Sequence, residues 1–383
     1  MRTKKTKARR GIIPAALAAI GLALALCSCA GHQTPPAWEG MEPVSELSLQ
    51  YAQQFSVSCY DAGYRMLTIE ESGRYFIVPE GAAVPEGLPS DIVVLQEPLD
   101  CIYLAATSAM DPLRAIDAVR CVQLVGTNAD GWYIPEAKQA LADGSMLYAG
   151  RYSAPDYELI VSKGCNLAIE SMMISHAPEV KEQLERLDVP VLIERSSYES
   201  TPLGRMEWVK LYGTLLGRDS EAQRIFDAEL AALAPVLETK PTGKTAAFFA
   251  VNSTGAVNVR KSGDYVAEMI RMAGGEYVPR DLGDNENALA TMNIDMESFY
   301  TAAKDADILI YNSTIDGELT TIEELLQKSA ALADFKAVRE GNVWCTGRNL
   351  FQESMSLGRM IAEFHAIFTE TDPQSLVFLH RLV

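Results

Sequence analysis

Histidine is scarce in this chain, with only His32, His176, His365 and His380 in 383 residues. A metal site made of protein ligands needs several imidazoles and a carboxylate converging on one ion. Here His32 falls in a polar leading stretch, His380 in the tail, and His176 and His365 in amphipathic segments. No metal ligand is assigned. The same scarcity weakens a Ser–His or Cys–His nucleophile. Gly-x-Ser-x-Gly, His-Glu-x-x-His and a phosphate-binding glycine loop are all missing, so no catalytic residue is assigned. Positive charge is short too: 33 Lys and Arg face 51 Asp and Glu, for a net −18. Such a surface repels phosphates and argues against nucleic acid as a partner. No apolar run reaches the roughly 20 residues that cross a bilayer.

What is present begins at the N-terminus. A basic head of Arg2, Lys4, Lys5, Lys7, Arg9 and Arg10 precedes a short apolar run from Ile12 to Leu26, the pattern of a secretory leader. In Leu26-Cys27-Ser28-Cys29, Leu stands at −3, Ser at −1 and Cys at +1. This lipobox predicts removal of residues 1–28 and lipidation of Cys29. The expected product is extracytoplasmic and anchored by lipid to the cell membrane. All six basic residues of the head leave with the leader, so the remaining 355 residues carry −24. Five cysteines follow Cys29: Cys59, Cys101, Cys121, Cys165 and Cys345. Their odd number leaves at least one unpaired, and no spacing assigns a pair.

A chain of this length exceeds one ordinary core, so two domains are expected. After a polar, proline-rich stretch, short apolar strands alternate with amphipathic helices. Arg74–Val78, Ile92–Leu95, Ile102–Ala106, Val122–Val125, Leu167–Ile169 and Val189–Ile193 read as strands. Two consecutive helices, Leu203–Leu216 and Asp219–Leu237, interrupt this order. In the second, Ile225, Phe226, Leu230, Leu233 and Leu237 recur at helical spacing. Alternation then resumes with Thr245–Val251, Tyr265–Met272, Met296–Ala303 and Ile308–Tyr311. Val343–Cys345 is expected as the final strand and Ser354–Phe368 as a closing helix. The predicted class is α/β, two Rossmann-like lobes joined by one long connector helix. The expected layout is a leader over 1–28, a tether over 29–50, an N-terminal lobe over 51–218, a connector over 219–238 and a C-terminal lobe over 239–383.

The stretch from Glu194 to Gly213, containing Pro202-Leu-Gly-Arg205 and Glu207-Trp208, resembles a known family. So do Tyr152–Glu158, Ala273-Gly-Gly-Glu-Tyr277 and Phe335–Trp344, in the same order. The family is the substrate-binding lipoproteins of ABC importers for ferric siderophores, haem and cobalamin, in their helical-backbone form. The resemblance covers roughly residues 90–370. It departs at Lys163-Gly-Cys-Asn166, where the family usually reads Lys-Pro-Asp, and at the longer junction Lys304–Asp307.

That resemblance implies a monomeric, non-enzymatic receptor without a cofactor. It would hold a ferric siderophore in a cleft between stiffly linked lobes and deliver it to an ABC permease and its ATPase subunits. A cobalamin or haem ligand is the alternative, followed by an exported lipid-anchored hydrolase or a surface interaction protein. In the family, one glutamate at the tip of each lobe meets arginines on the permease; Glu158 and Glu297 match those positions. A bulky, partly aromatic ligand needs aromatic walls and a few fixed polar groups. Trp132, Tyr133, Tyr152 and Tyr198 on the first lobe are candidates, with Asn252, Arg260, Asn312, Trp344 and Arg348 on the second. Arg260 or Arg348 is suited to neutralise a carboxylate or catecholate. Arg205 and Glu207 read as structural.

Overall fold

The computed structural model describes residues 35–280, 282, 291–371 and 376–383. The leader and Cys29 lie outside the described residues. Among the described residues, three large sheets follow one another along the chain, with a small two-stranded one, Gly150–Arg151 and Ala154–Pro155, within the stretch that forms the second. The first has five strands in sequential order, Ser45–Glu46, Phe55–Cys59, Arg65–Ile69, Gly73–Val78 and Ile92–Gln96. Its pairs are antiparallel except the last. Alternation places Phe55, Val57, Leu67, Ile69, Tyr75 and Ile77 in the main core. Met66, Phe76 and Val78 face a smaller cluster on the other side.

Part of the expected tether is corrected here. Trp38 packs edge-on against Phe76, with centroids 5.4 Å apart. Ala37 bridges to Glu86, and Ser45–Glu46 adds a strand to the sheet. The apolar side chains of Trp38 and Met41 cover the outer cluster, so residues 37–50 belong to the folded body. Two buried carboxylates fasten Gln50 and the four residues after it. Glu207 accepts from the backbone N–H groups of Gln50, Tyr51 and Ala52 at 2.7–3.0 Å and from Lys210 Nζ at 2.8 Å. Burial pushes its acidity the other way, but Lys210 and those amides hold Glu207 below the usual carboxylate range. Glu199 accepts from Gln53, Gln54 and the Trp208 indole.

The second sheet is wholly parallel. Its order is Val191–Glu194, Leu167–Ser171, Ile102–Leu104, Val122–Val125 and Leu147–Tyr148. Helices Met110–Ala115, Pro135–Asp143, Tyr157–Ser162 and Pro178–Arg186 make the crossovers. Along Leu167–Ser171, Leu167 and Ile169 face the main core, and Ala168 faces an outer cluster around Tyr103 and Ile160. Glu170 shares the Ala168 side, is fully buried, and neither carboxyl oxygen has a hydrogen-bond partner. Burial pushes its pKa up to about 8.

Between the lobes, the segment expected as one helix over 203–216 is two, Pro202–Glu207 and Val209–Leu215, meeting at the buried Trp208. The connector helix spans Asp219–Leu237 and is roughly 28 Å long. It buries Ala222, Phe226 and Leu233. At Gly213 a Cβ would stand 2.6 Å from that of Ala222, so glycine there allows the two helices to touch.

The third sheet runs Thr291–Ile294, Val257–Arg260, Thr245–Val251, Ile308–Tyr311, Val343–Thr346, Leu379–Arg381, with Glu276–Val278 beside Thr245–Val251. Its centre is parallel and its outer pairs antiparallel. The expected chain end is corrected: helix Leu357–Thr369 does not close the chain, because Leu379–Arg381 returns to pair with Val343–Thr346. One hydrophobic cluster runs from the first sheet through the connector (Phe226, Leu233) to Phe248 and Phe364 of the last lobe. The lobes therefore share a core beneath their cleft.

Candidate functional site

A cavity of about 340 Å³ lies between the lobes. Ser108, just past strand Ile102–Leu104, and Ser196 and Ser197, just past Val191–Glu194, line it from the N-terminal lobe. These are the carboxyl ends of parallel strands, where open α/β sheets leave a crevice. Glu194 sets that wall: it is buried and accepts from Ser196 N–H at 2.9 Å and Ser108 Oγ at 3.0 Å. Burial pushes its carboxyl above the ordinary range.

Two arginines face this space from opposite sides. Arg205 comes from helix Pro202–Glu207 and donates to the carbonyls of Ser197 and Glu199. Its guanidinium carbon lies 3.5 Å from the centre of the Tyr265 ring, which belongs to the other lobe. Arg260 ends strand Val257–Arg260. Tyr277 holds its backbone at both groups: the Tyr277 hydroxyl accepts from Arg260 N–H at 3.0 Å and donates to Arg260 C=O at 2.6 Å. The Arg260 side chain packs 4.9 Å from the Phe351 ring centre. It stands 3.6 Å from Asp264, and its Nε is buried with no partner. Asp264 is itself committed to capping helix Tyr265–Met272, and burial raises its carboxyl pKa despite Arg260. The carboxyls beside these guanidinium groups, Asp264 and Glu194, are both buried and already hydrogen-bonded, while Arg260 keeps an unpaired N–H. Phe351, Leu350 and Leu357 supply an apolar wall, and Ser354 and Thr291 add hydroxyls.

The lobes are tied beside this cavity. Asp111 of the first lobe accepts from Met355 N–H at 2.8 Å. Gln352 donates to the Gly131 carbonyl at 2.7 Å and accepts from Tyr133 N–H at 2.8 Å. Together with the shared core, these contacts favour a cleft of nearly fixed width.

Of the ligand contacts expected from sequence, Arg260 lines the cavity. Tyr133 stands at the lobe junction without lining it. Tyr198 is half-buried under Arg195, 4.2 Å from ring centre to guanidinium, and Tyr152 lies in the turn between Gly150–Arg151 and Ala154–Pro155. Four others are engaged within the fold and do not line the cavity. Trp132 is fully buried, its indole donating to the Thr127 carbonyl. Asn252 closes a hairpin turn by accepting from Thr254 and Ala256. Asn312 caps Ser313–Asp316 through Thr314 N–H. Trp344 lies within strand Val343–Thr346 under Arg381. Arg348 is exposed beyond that strand and outside the cavity lining. Arg205, read as structural, lines the cavity as well as bracing its own loop. Its place in Pro-Leu-Gly-Arg was the available signal, and Tyr265 and Phe351 carried none.

Glu158 and Glu297 occupy equivalent places. Asp156 caps helix Tyr157–Ser162 through Leu159 N–H at 2.9 Å, and Asp295 caps Met296–Ala303 through Ser298 N–H at 2.8 Å. Each glutamate is exposed in the first turn. The strand after each helix pairs in parallel with the first parallel-sheet strand of its lobe, Leu167 opposite Ile102 and Ile308 opposite Ala246. Among the described residues, no three His, Cys, Asp or Glu side chains gather closely enough to hold a metal ion.

Known proteins share this fold. The sequence profile of the family described as periplasmic binding protein matches residues 123–350. An uncharacterised lipoprotein of Methanocaldococcus jannaschii is 24% identical over 343 residues, 81% of this chain and 80% of its own. A periplasmic haem-binding protein from Pseudomonas aeruginosa superposes with a TM-score of 0.57 at 17% identity, covering 74% of this chain and 98% of its own. A petrobactin-binding protein from Bacillus subtilis gives 0.56 at 11% identity, over 85% and 99%.

Proposed function

The chain belongs to the periplasmic binding protein family, and from that premise we propose that it captures an anionic ferric siderophore and hands it to an ABC permease. Family membership makes it an extracytoplasmic solute-binding protein of ABC transport, not an enzyme. The anionic ligand is inferred from one observation: Arg205 and Arg260 reach the cavity from opposite lobes, and Arg260 keeps a buried N–H unpaired. Carboxylate or catecholate oxygens would satisfy such donors with charge-assisted bonds. The iron would arrive already chelated. Anchoring through a lipid on Cys29 fits the lipobox and the relative named a lipoprotein, and the receptor acts as a monomer.

Titration of intrinsic fluorescence with a ferric catecholate, a ferric hydroxamate, haem and cobalamin tests the ligand class. The expected result is saturable quenching by the ferric catecholate at micromolar concentration or below. Binding of cobalamin or the hydroxamate alone would remove the anionic reading.

Glu158 and Glu297 are assigned to permease docking. Exposed carboxylates meeting arginines govern orientation and association rate more than final affinity. The Glu158→Ala, Glu297→Ala double variant should lose ligand uptake in cells while its ligand titration stays unchanged. Uptake at the parental rate would withdraw the docking role.

A further inference from the structure

Cys59, Cys101, Cys121, Cys165 and Cys345 are all free thiols, and two of them are neighbours. Cys101 directly precedes strand Ile102–Leu104, and Cys165 stands two residues before Leu167–Ser171. The strands are adjacent and parallel, with Leu167 opposite Ile102, so Cys101 stands opposite Asn166 and Cys165 lies diagonal to it, one residue out of register. Asn166 N–H donates to the Cys101 carbonyl at 3.0 Å, and its side chain accepts from Cys101 N–H at 3.3 Å. Cys165 Sγ donates to the Cys101 carbonyl at 3.0 Å, while Cys101 Sγ reaches the other way to the Lys163 carbonyl at 3.5 Å. Each sulfur therefore lies against the chain that leads into the other's strand. With neighbouring strands roughly 4.8 Å apart and a rise of roughly 3.3 Å per residue, Cα atoms one step out of register are about 5.8 Å apart, inside the range of about 4.4–6.8 Å that a disulfide bridges. Both residues are buried against Tyr103, Ile160 and Val191.

We infer that Cys101 and Cys165 are a disulfide site, joined as the exported chain folds. The inference goes beyond the ligand proposal and draws from it only the extracytoplasmic setting, where disulfides persist. The oxidant is a disulfide-bearing thiol–disulfide exchange partner. One cysteine thiolate attacks that disulfide, releasing one of its sulfurs as a thiolate and forming a mixed disulfide. The second cysteine thiolate then displaces the other sulfur. The chain gives up two protons and two electrons, and the partner leaves as a dithiol. In the folded protein, burial raises both thiols, Cys165 to about 12, so little reactive thiolate remains. Exchange therefore belongs to the folding chain, before the outer cluster closes over the sulfurs.

The test is refolding of the full-length chain from denaturant in a glutathione redox buffer, which does not depend on cellular location. After alkylation and digestion, the expected result is one cross-linked peptide pair joining Cys101 to Cys165, with Cys27, Cys29, Cys59, Cys121 and Cys345 alkylated. Closing this 64-residue separation should place the melting temperature about 5 °C above that of the same protein kept in reductant. Alkylation of all seven cysteines after refolding, or a cross-link between any other two, would overturn the assignment.

Discussion

The Arg205→Ala, Arg260→Ala double variant is expected to bind the ferric catecholate at least a hundredfold more weakly than the parent. A hydrogen bond with a charged partner contributes about 1.5–3 kcal/mol, or roughly ten- to a hundredfold for each guanidinium. Both groups face one ligand, so their losses need not add. Each arginine also has a structural contact that the measurement must separate. Arg205 braces the Ser197 and Glu199 carbonyls, and Arg260 stands beside the buried Asp264. Thermal melting of each single variant reads that cost, and titration of the folded fraction reads the ligand. Arg260→Lys keeps the charge but not the two-pronged donor, so it should fall between parent and alanine variant. Affinity within threefold of the parent in a folded double variant would end the claim that these groups meet the ligand.

Glu170→Gln is expected to stabilise the protein at alkaline pH by about 4–5 kcal/mol. The sign follows from the two proton affinities. An unfolded glutamate ionises near 4.5, whereas buried Glu170, without a partner, keeps its proton up to about 8. The folded state thus binds the extra proton. Its stabilising effect is complete below 4.5, declines between 4.5 and 8, and is gone above. At about 1.36 kcal/mol per pKa unit, the change over that window gives the figure above, as an order of magnitude. The glutamine variant should lack this component, so urea midpoints of the two proteins should agree near pH 4 and diverge steadily toward pH 8. Carboxylates held below their usual range, such as Glu207 and Asp307, cancel in that difference. Parallel stability curves across the window would show that Glu170 ionises normally.

Helical periodicity and strand–helix alternation were legible where the packing partner was local. Asp219–Leu237, Tyr265–Met272 and Met296–Ala303 carry clear stripes or capping residues, and each forms with the expected bounds. The first sheet was less visible. Phe55–Cys59, Phe-Ser-Val-Ser-Cys, alternates as a half-buried strand does, but over only five residues, and it is held by Ser45–Glu46 on one side and Arg65–Ile69 on the other. The returning strand Leu379–Arg381 is three residues long and depends on Val343–Thr346 for its pairing. The site was harder still. Trp132 and Asn312 are residue types that suit a ligand equally well as a core or a helix cap. Arg205 does two things at once, and nothing in its neighbourhood along the chain says that Tyr265, sixty positions later, lies under it.

The first sheet bears on where this protein could be cut. A fragment beginning at residue 123, where the family profile starts, would lose Ile102–Leu104 from the middle of the second sheet. It would also strip Glu207 of three amide donors while keeping its charge and that of Lys210 sealed inside. Kinship and autonomy thus have different borders in this molecule: the segment that identifies it to its relatives is not one that could stand alone.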